Sequence, residues 1–516
     1  MSPRTEPPQP AAPSGHGQGE GARLAEAPAA ELIETSFRLE IGDAPILWRG
    51  LGRADLAHAL MLCEVGVIPP ADGCRLLALL LELDQVPLEQ ISLDPALEDA
   101  YSNREAWLRK RDQHVAGWMG AGRPRREPAT VAYRLAVRER LLDLCRALAD
   151  FATTLVDCAA ANVETVTPDF TYLQHAQPTS LAHYLLSFVY PVVRDLERLR
   201  GCFARTNQSP AGIGNINGSR LPLDRRRLAE LLGFDGVIVN TRDAMWQVDG
   251  PVEIMSLVVA LVLNLDRLAE DLQIWNTAEF DLVELADRHA RISLIMPQKK
   301  NPYSLAFVRG VTGSLLGRMV AMAAVGKTPS AQMDNRVFVI GEVPRALDQA
   351  IGAVRLMAGV LAGVTFNAPV MRRRASQGYA YATDLAEVVM QTAQTSYRSA
   401  HRLVGLAIRM AIERGDGEGK IPADILAEAG RQVLGRPVEL PADVRAKLGD
   451  PAAIVATRQG IGGAAVEPVA AMLAELRHEV GSARTWEAET SARLSAAETA
   501  LLRLAAARAT RETIVR

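Results

Sequence analysis

Apolar residues recur at helical spacing over unusually long windows of this chain, at 129–163, 180–206, 252–275, 304–326 and 342–364. Each window exceeds an ordinary globular helix of three to four turns. Turn signals fall between them, at Pro168-Asp169, Asn217-Gly218, Pro297 and Thr328-Pro329. Long helices with near-continuous apolar faces pack antiparallel into a bundle, so 126–370 is expected to be a central long-helix domain. Residues 30–125 predict a smaller helical domain before it. Residues 371–516 predict another after it, broken by a Pro/Gly-marked stretch at 415–441. The window 252–263 is apolar enough that much of it should stay exposed in a lone subunit. It reads either as a thick monomer core or as bundle contact between subunits. Residues 1–29 are rich in Pro, Gly, Ala and Ser without an apolar run, which predicts a disordered tail and not a secretory signal. From about 485 the Ala/Arg/Glu-rich stretch reads as a solvated helix. No internal repeat is visible.

Composition narrows the class. Ala and Leu abound while aromatics make up 5%, which favours helix over sheet and gives an all-α reading. A net charge of −3 points to neither nucleic acid nor an acidic membrane surface as partner. The most apolar stretch, 257–263, is far shorter than the roughly 20 residues of a membrane span, so a soluble, cytoplasmic protein is expected. The five cysteines (Cys63, Cys74, Cys145, Cys158, Cys202) form no close pair and read as buried free thiols. The histidines are scattered, with no metal-ligand spacing, and no Gly-rich phosphate loop follows a strand. No metal and no cofactor is expected. The glycine-dense run at 212–218 reads as a turn near the site.

Candidate chemistry concentrates in Ser293-Leu-Ile-Met-Pro-Gln-Lys-Lys-Asn-Pro302. Proline lacks a backbone donor and disfavours helix at the preceding residue, so this run predicts a loop between helices. It joins a hydroxyl (Ser293), two ammonium groups (Lys299, Lys300) and an amide (Asn301), a set suited to a substrate bearing carboxylates. On the residues alone, an exposed basic loop is the competing reading.

Met296-Pro-Gln-Lys-Lys-Asn-Pro302 resembles the signature loop of the fumarase/aspartase superfamily, in the form carried by argininosuccinate lyases. Similar stretches follow the same order elsewhere, at 228–234, 267–272, 280–287, 309–318, 383–385 and 450–473, so the resemblance spans about residues 30–495. It implies a three-domain, all-α fold whose central bundle is shared in a homotetramer, with active sites that draw on three subunits. It also implies base-promoted elimination of fumarate from a succinyl substrate. Ser293 then matches the base, and Lys299 and Asn301 match groups that hold succinyl carboxylates. Thr171 and Gln174, in Thr171-Tyr-Leu-Gln-His-Ala-Gln-Pro178, match carboxylate-binding residues. Arg123 and Arg125, in Gly122-Arg-Pro-Arg-Arg-Glu127, match another motif, with Arg125 as a two-oxygen clamp. His175 falls at a variable position and reads as structural.

The departures bear on mechanism and substrate. Tyr172 stands where the family has histidine, and Ala306 where it has the glutamate that orients that histidine. The usual proton relay is therefore absent, and leaving-group protonation falls to Tyr172 or to water. Tyr101 replaces a histidine, and Ile292-Ser293-Leu294 replaces Gly-Ser-Ser. The family's polar contacts to the arginine-bearing half become Gln332, Val337 and Ile340, which argues against argininosuccinate as substrate. Arg104 and Arg126 replace asparagines and fit a more anionic ligand. The expectation is a carbon–nitrogen lyase acting on an N-succinyl, aspartate-derived compound other than argininosuccinate, with a leaving nitrogen that needs little help. The alternatives are a non-catalytic, crystallin-like or regulatory homologue that keeps a carboxylate site, and an argininosuccinate lyase with unusual site residues.

Overall fold

The computed structural model describes residues 27–332, 336–416 and 419–510. Most of the tail expected over 1–29 therefore lies outside the described residues. The chain is built from helices that begin where sequence chemistry allows. Helix α1 (Ala44–Glu64) and α2 (Pro70–Asp84) both carry proline in their first turn, where its missing N–H costs nothing. Helix α3 (Ala100–Arg109) is capped by Asp99, which accepts the Ser102 N–H at 2.8 Å.

Five long helices form the body. They are α4 (Arg126–Ala160), α5 (Leu181–Thr206), α6 (Asp249–Trp275), α7 (Tyr303–Val325) and α8 (Glu342–Leu361), each starting within three residues of its predicted window. A shared core runs through Leu144, Leu148, Leu185, Val258, Leu265, Leu347 and Val354. At 1.5 Å rise per residue, α4 is about 50 Å long, so one helix links the N-terminal lobe to the far end of the bundle.

Three expectations are corrected here. The Pro168-Asp169 signal does not turn the chain. Both residues lie in strand β1 (Val166–Thr171), which pairs antiparallel with β2 (Gln174–Ser180), and the turn falls on Tyr172 and Leu173. The apolar window 252–263 is not left open either. Leu257, Val258, Leu261 and Val262 are buried, because α6 is flanked by α5, α7 and α8, and among its large apolar side chains in this window Leu263 is exposed. The uncovered apolar surface sits instead on α7, which is apolar around its whole circumference and leaves Phe307, Leu316 and Val320 exposed, Val320 by 62%. By length and composition α7 would also pass for a membrane span, yet one face packs on α6 and α8.

The end of the chain is the third correction. After β3 (Arg291–Ile292) and β4 (Lys300–Asn301), which pair with each other within the polar loop, come α9 (Ala368–Ala375), α10 (Ala382–Thr392), α11 (Tyr397–Arg414), α12 (Ala423–Leu434), α13 (Ala442–Leu448) and α14 (Pro451–Val455). A separate core of Leu385, Leu403, Val404 and Leu426 holds the middle of this group. Helix α15 (Val466–Ala509) does not join it. It runs back along α4, α5 and α2, burying Leu473, Leu476, Leu494 and Leu501 against the body. The stretch after 485 is thus half-sunk in the protein, not a solvated appendage. Cys63, Cys74, Cys145 and Cys202 are buried as free thiols, and Cys158 is half-buried.

Candidate active site

The polar loop is a short ribbon with an open end. Arg291 pairs with Asn301 and Ile292 with Lys300, and the Arg291 guanidinium lies over the Tyr303 ring at 5.0 Å. These contacts fix the loop's two feet. Between them Ser293 Oγ accepts the Met296 N–H at 3.1 Å, and the Lys299 N–H donates to the Met296 carbonyl at 3.0 Å. A backbone donor aimed at a hydroxyl oxygen stabilises negative charge on that oxygen, which is what a serine acting as base requires.

The two lysines differ. Lys300 is bound by Asp287 at 2.8 Å and Glu284 at 3.0 Å, and these carboxylates raise its pKa above the usual ammonium value. Lys299 is exposed and its ammonium has no hydrogen-bond or ion-pair partner among the described residues, so its charge is available to a ligand. Asn301 donates one N–H to the Arg291 carbonyl at 2.9 Å, which orients the amide and leaves its other groups open. Leu294 is 99% exposed and Ile295 is nearly as open.

The second segment is the hairpin tip. Thr171 and Gln174 pair across it, and both are exposed. Tyr172 and Leu173 stand at φ +55° and +59°, the left-handed conformation that a two-residue hairpin turn requires and that glycine or asparagine normally supplies. For other residues it costs about 1–2 kcal/mol each. Backbone strain of this kind collects at functional sites. Tyr172 is 99% exposed with no polar partner among the described residues. Below the tip, Phe170 packs on His175 and Phe280, and burial lowers the His175 pKa, consistent with its structural reading.

The third segment holds the arginines, and here the structure corrects several assignments. Arg123 does not reach out for a ligand. Its guanidinium is 1% exposed, donating to Asp55 at 2.9 Å and stacking on Tyr101 at 5.3 Å. Arg104, expected to serve an anionic ligand, shares the same Asp55 at 2.9 Å and lies over Trp48. Arg126 is engaged by Glu40 at 2.5 Å. Arg125 is half-exposed but ion-paired with Glu98, with Asp99 at 3.9 Å. In each case burial demands a counter-charge, and a local carboxylate supplies it.

Asp55 and Glu127 are the residues that sequence reasoning missed. A carboxylate inside the apolar run of α1 is the signal that could have found Asp55. Glu127 accepts the N–H groups of Gly212 at 2.7 Å and Ile213 at 3.1 Å, which ties the glycine-dense loop to the arginine segment. Burial pushes its pKa up to about 7, against the opposing pull of those donors and Arg123. Gly214 (φ +59°) follows, where a Cβ would strike the Gly218 carbonyl.

The substrate-selecting stretch is also redrawn. Ile340 is buried in the main core and Val337 opens α-helical turn 337–340, so the aligned position of Ile340 offers a ligand nothing. Gln332 is exposed, and Met333 to Asn335 lie outside the described residues. Within one chain, the bonds described for the loop, the hairpin tip and the arginine segment each anchor that segment to its own surroundings.

Comparison with known proteins gives this geometry a setting. A family model described as lyase matches residues 75–317, and one described as argininosuccinate lyase C-terminal matches 379–456. The argininosuccinate lyase of Methanothermobacter thermautotrophicus is 33% identical over 83% of this chain and 92% of its own length. That of Methanoculleus marisnigri is 34% identical over 87% and 92%. Among solved structures, EDDS lyase in complex with formate superposes with a TM-score of 0.86 at 29% identity, covering 95% of this chain and 97% of that one.

Proposed function

The chain belongs to the argininosuccinate lyase family of the fumarase/aspartase superfamily and is a carbon–nitrogen lyase, and we propose that it eliminates fumarate from an N-substituted aspartate other than argininosuccinate. The observation that carries this reading is the open loop in which Ser293 meets the Met296 N–H beside the unpartnered Lys299.

In the proposed reaction a succinyl carboxylate binds Lys299 and Asn301. Ser293, as alkoxide held by the Met296 N–H, takes the proton from the carbon beside that carboxylate. The electron pair left behind spreads onto the carboxylate oxygens, where the Lys299 ammonium stabilises it. The pair then forms the carbon–carbon double bond as the C–N bond breaks, and the departing nitrogen takes a proton from Tyr172 or water. Thr171, Gln174 and Arg125 hold the remaining carboxylate oxygens.

The substrate's nitrogen-bearing half is the part least like argininosuccinate. Val337 is an aliphatic side chain, and Ile340 is withdrawn into the core, where the family motif has polar contacts. A site without those partners does not favour a guanidinium group. The likeness to EDDS lyase favours an EDDS-like compound over argininosuccinate on that side.

Segments that no described bond joins within one chain come together if subunits share sites, and the open apolar side of α7 supports a homotetramer built on the bundle. Sedimentation velocity should show four subunits; a stable monomer with full turnover would remove shared sites from the mechanism.

The functional test is fumarate release at 240 nm from a panel of N-succinyl amines, argininosuccinate included. Ser293→Ala should lower kcat by about 10²–10⁴-fold. Turnover that survives Ser293→Ala would remove serine as base, and undiminished turnover in Tyr172→Phe would assign the second proton to water.

A further inference from the structure

A cavity of about 160 Å³, lined by none of the candidate active-site residues, lies at the seam between the C-terminal helices and the body. Its walls are apolar. Ala375 of α9 and Ile454 of α14 form one side, and Leu426 of α12 and Leu448 of α13 form the other. Ala375 belongs to the small cluster with Val166 under the hairpin, whereas Leu426 and Leu448 belong to the core of the C-terminal group. The two cores therefore meet around empty space.

The mouth is cationic. Lys420 and Arg445 line it, are exposed, and have no hydrogen-bond or ion-pair partner from their side chains among the described residues. Three of the acids nearby in the chain are already committed, and Glu418 lies outside the described residues. Asp416 and Asp424 pair with Arg414, and Asp450 pairs with Arg372. Asp443 lies two residues from Arg445, and no ion pair joins them. Inside the mouth the Tyr381 hydroxyl accepts the Ile421 N–H at 2.9 Å, which leaves its own proton to donate. Burial keeps that phenol protonated.

An apolar void of about 150 Å³ is large enough for a benzene ring. Two cations with no ion-pair partner among the described residues and a phenolic donor at its entrance match a carboxylate. We propose that this cavity is a second ligand site, for a small aryl or branched-alkyl carboxylate, with the apolar body among Leu426, Leu448 and Ile454 and the carboxylate on Lys420 and Arg445. The chemistry is opposite to that of the Ser293 loop, which presents polar groups to a ligand that is polar throughout. A bound ligand would bridge the two cores and stabilise their seam.

The test uses benzoate as probe, with benzyl alcohol (same ring, no charge) and fumarate (charge, no ring) as comparators, titrated into the full-length protein by calorimetry. Benzoate should saturate one site per chain at least tenfold more tightly than benzyl alcohol, and should raise Tm as its concentration passes Kd. The double variant Lys420→Met/Arg445→Met should lose about tenfold in benzoate affinity. Ala423→Trp, placed at the mouth on an exposed position, should block binding without loss of fold. Lys299→Met should leave benzoate binding intact, which separates this site from the proposed active site. Non-saturating benzoate, affinity equal to that of benzyl alcohol, competition by fumarate, or loss of binding in Lys299→Met would each overturn the proposal.

Discussion

The polar loop at 293–302 and the arginine segment at 98–127 both carry cations that resemblance would aim at substrate carboxylates, yet they hold them in opposite ways. In the loop, the supporting bonds come from the backbone and from the neighbouring lysine's acids, so Lys299 stays open. In the arginine segment the guanidinium groups are neutralised in place, and Arg104 and Arg123, sunk against aromatic rings, share one Asp55. A cation in an exposed loop can wait for its ligand because water solvates it. A buried one needs its counter-ion at the moment of folding. On the proposed reading the first region binds ligand, and in the second Arg104 and Arg123 hold the walls around it while Arg125 stays half-exposed.

This contrast breaks most readily at Asp55. Asp55→Asn leaves two buried guanidinium groups without a full counter-charge and should cost about 3–5 kcal/mol, read as a large fall in Tm or urea midpoint. An unchanged Tm would show that the arginines are solvated after all. Glu127 gives a pH-dependent version. Its folded pKa, about 7, stands above the ordinary 4.5, so its share of stability is complete below pH 4.5 and declines as pH rises through 7. The slope is at most about 1.4 kcal/mol per pH unit, and Glu127→Gln should flatten it. A wild-type midpoint that does not move between pH 5 and 7.5 would place the ionised carboxylate in the folded state throughout.

The smallest effect sharpens the comparison at Arg125, the half-exposed member of the buried set. Its pairing with Glu98 must loosen before it can clamp a substrate. Glu98→Gln should therefore lower KM about fivefold, the worth of one charge-assisted bond of about 1 kcal/mol, with kcat little changed. A higher KM would mean that Glu98 positions Arg125 and does not compete for it.

The long helices were legible because period and length are local properties. Windows of apolar residues marked α4 to α8 to within a few residues of their ends. The loop at 293–302 was legible because proline limits backbone choice residue by residue. The hairpin turn was not, since Tyr172 and Leu173 adopt positive φ against their own preference, and only the pairing of β1 with β2 imposes it. The destination of α15 was equally hidden. Its weakly amphipathic sequence suits a solvated helix, and its burial depends on surfaces of α2, α4 and α5 hundreds of residues away.

For this protein the sequence alone determined the helical class and the family, because each rests on residue type and spacing along the chain. Tertiary structure decided which charges are free. Arg123, Arg125 and Lys299 are all cations in the sequence, but Asp55 lies 68 residues from Arg123 and Glu98 lies 27 from Arg125, while Lys299 pairs with no acid among the described residues. Availability to a ligand is set by the nearest counter-charge in space, and folding chooses that neighbour.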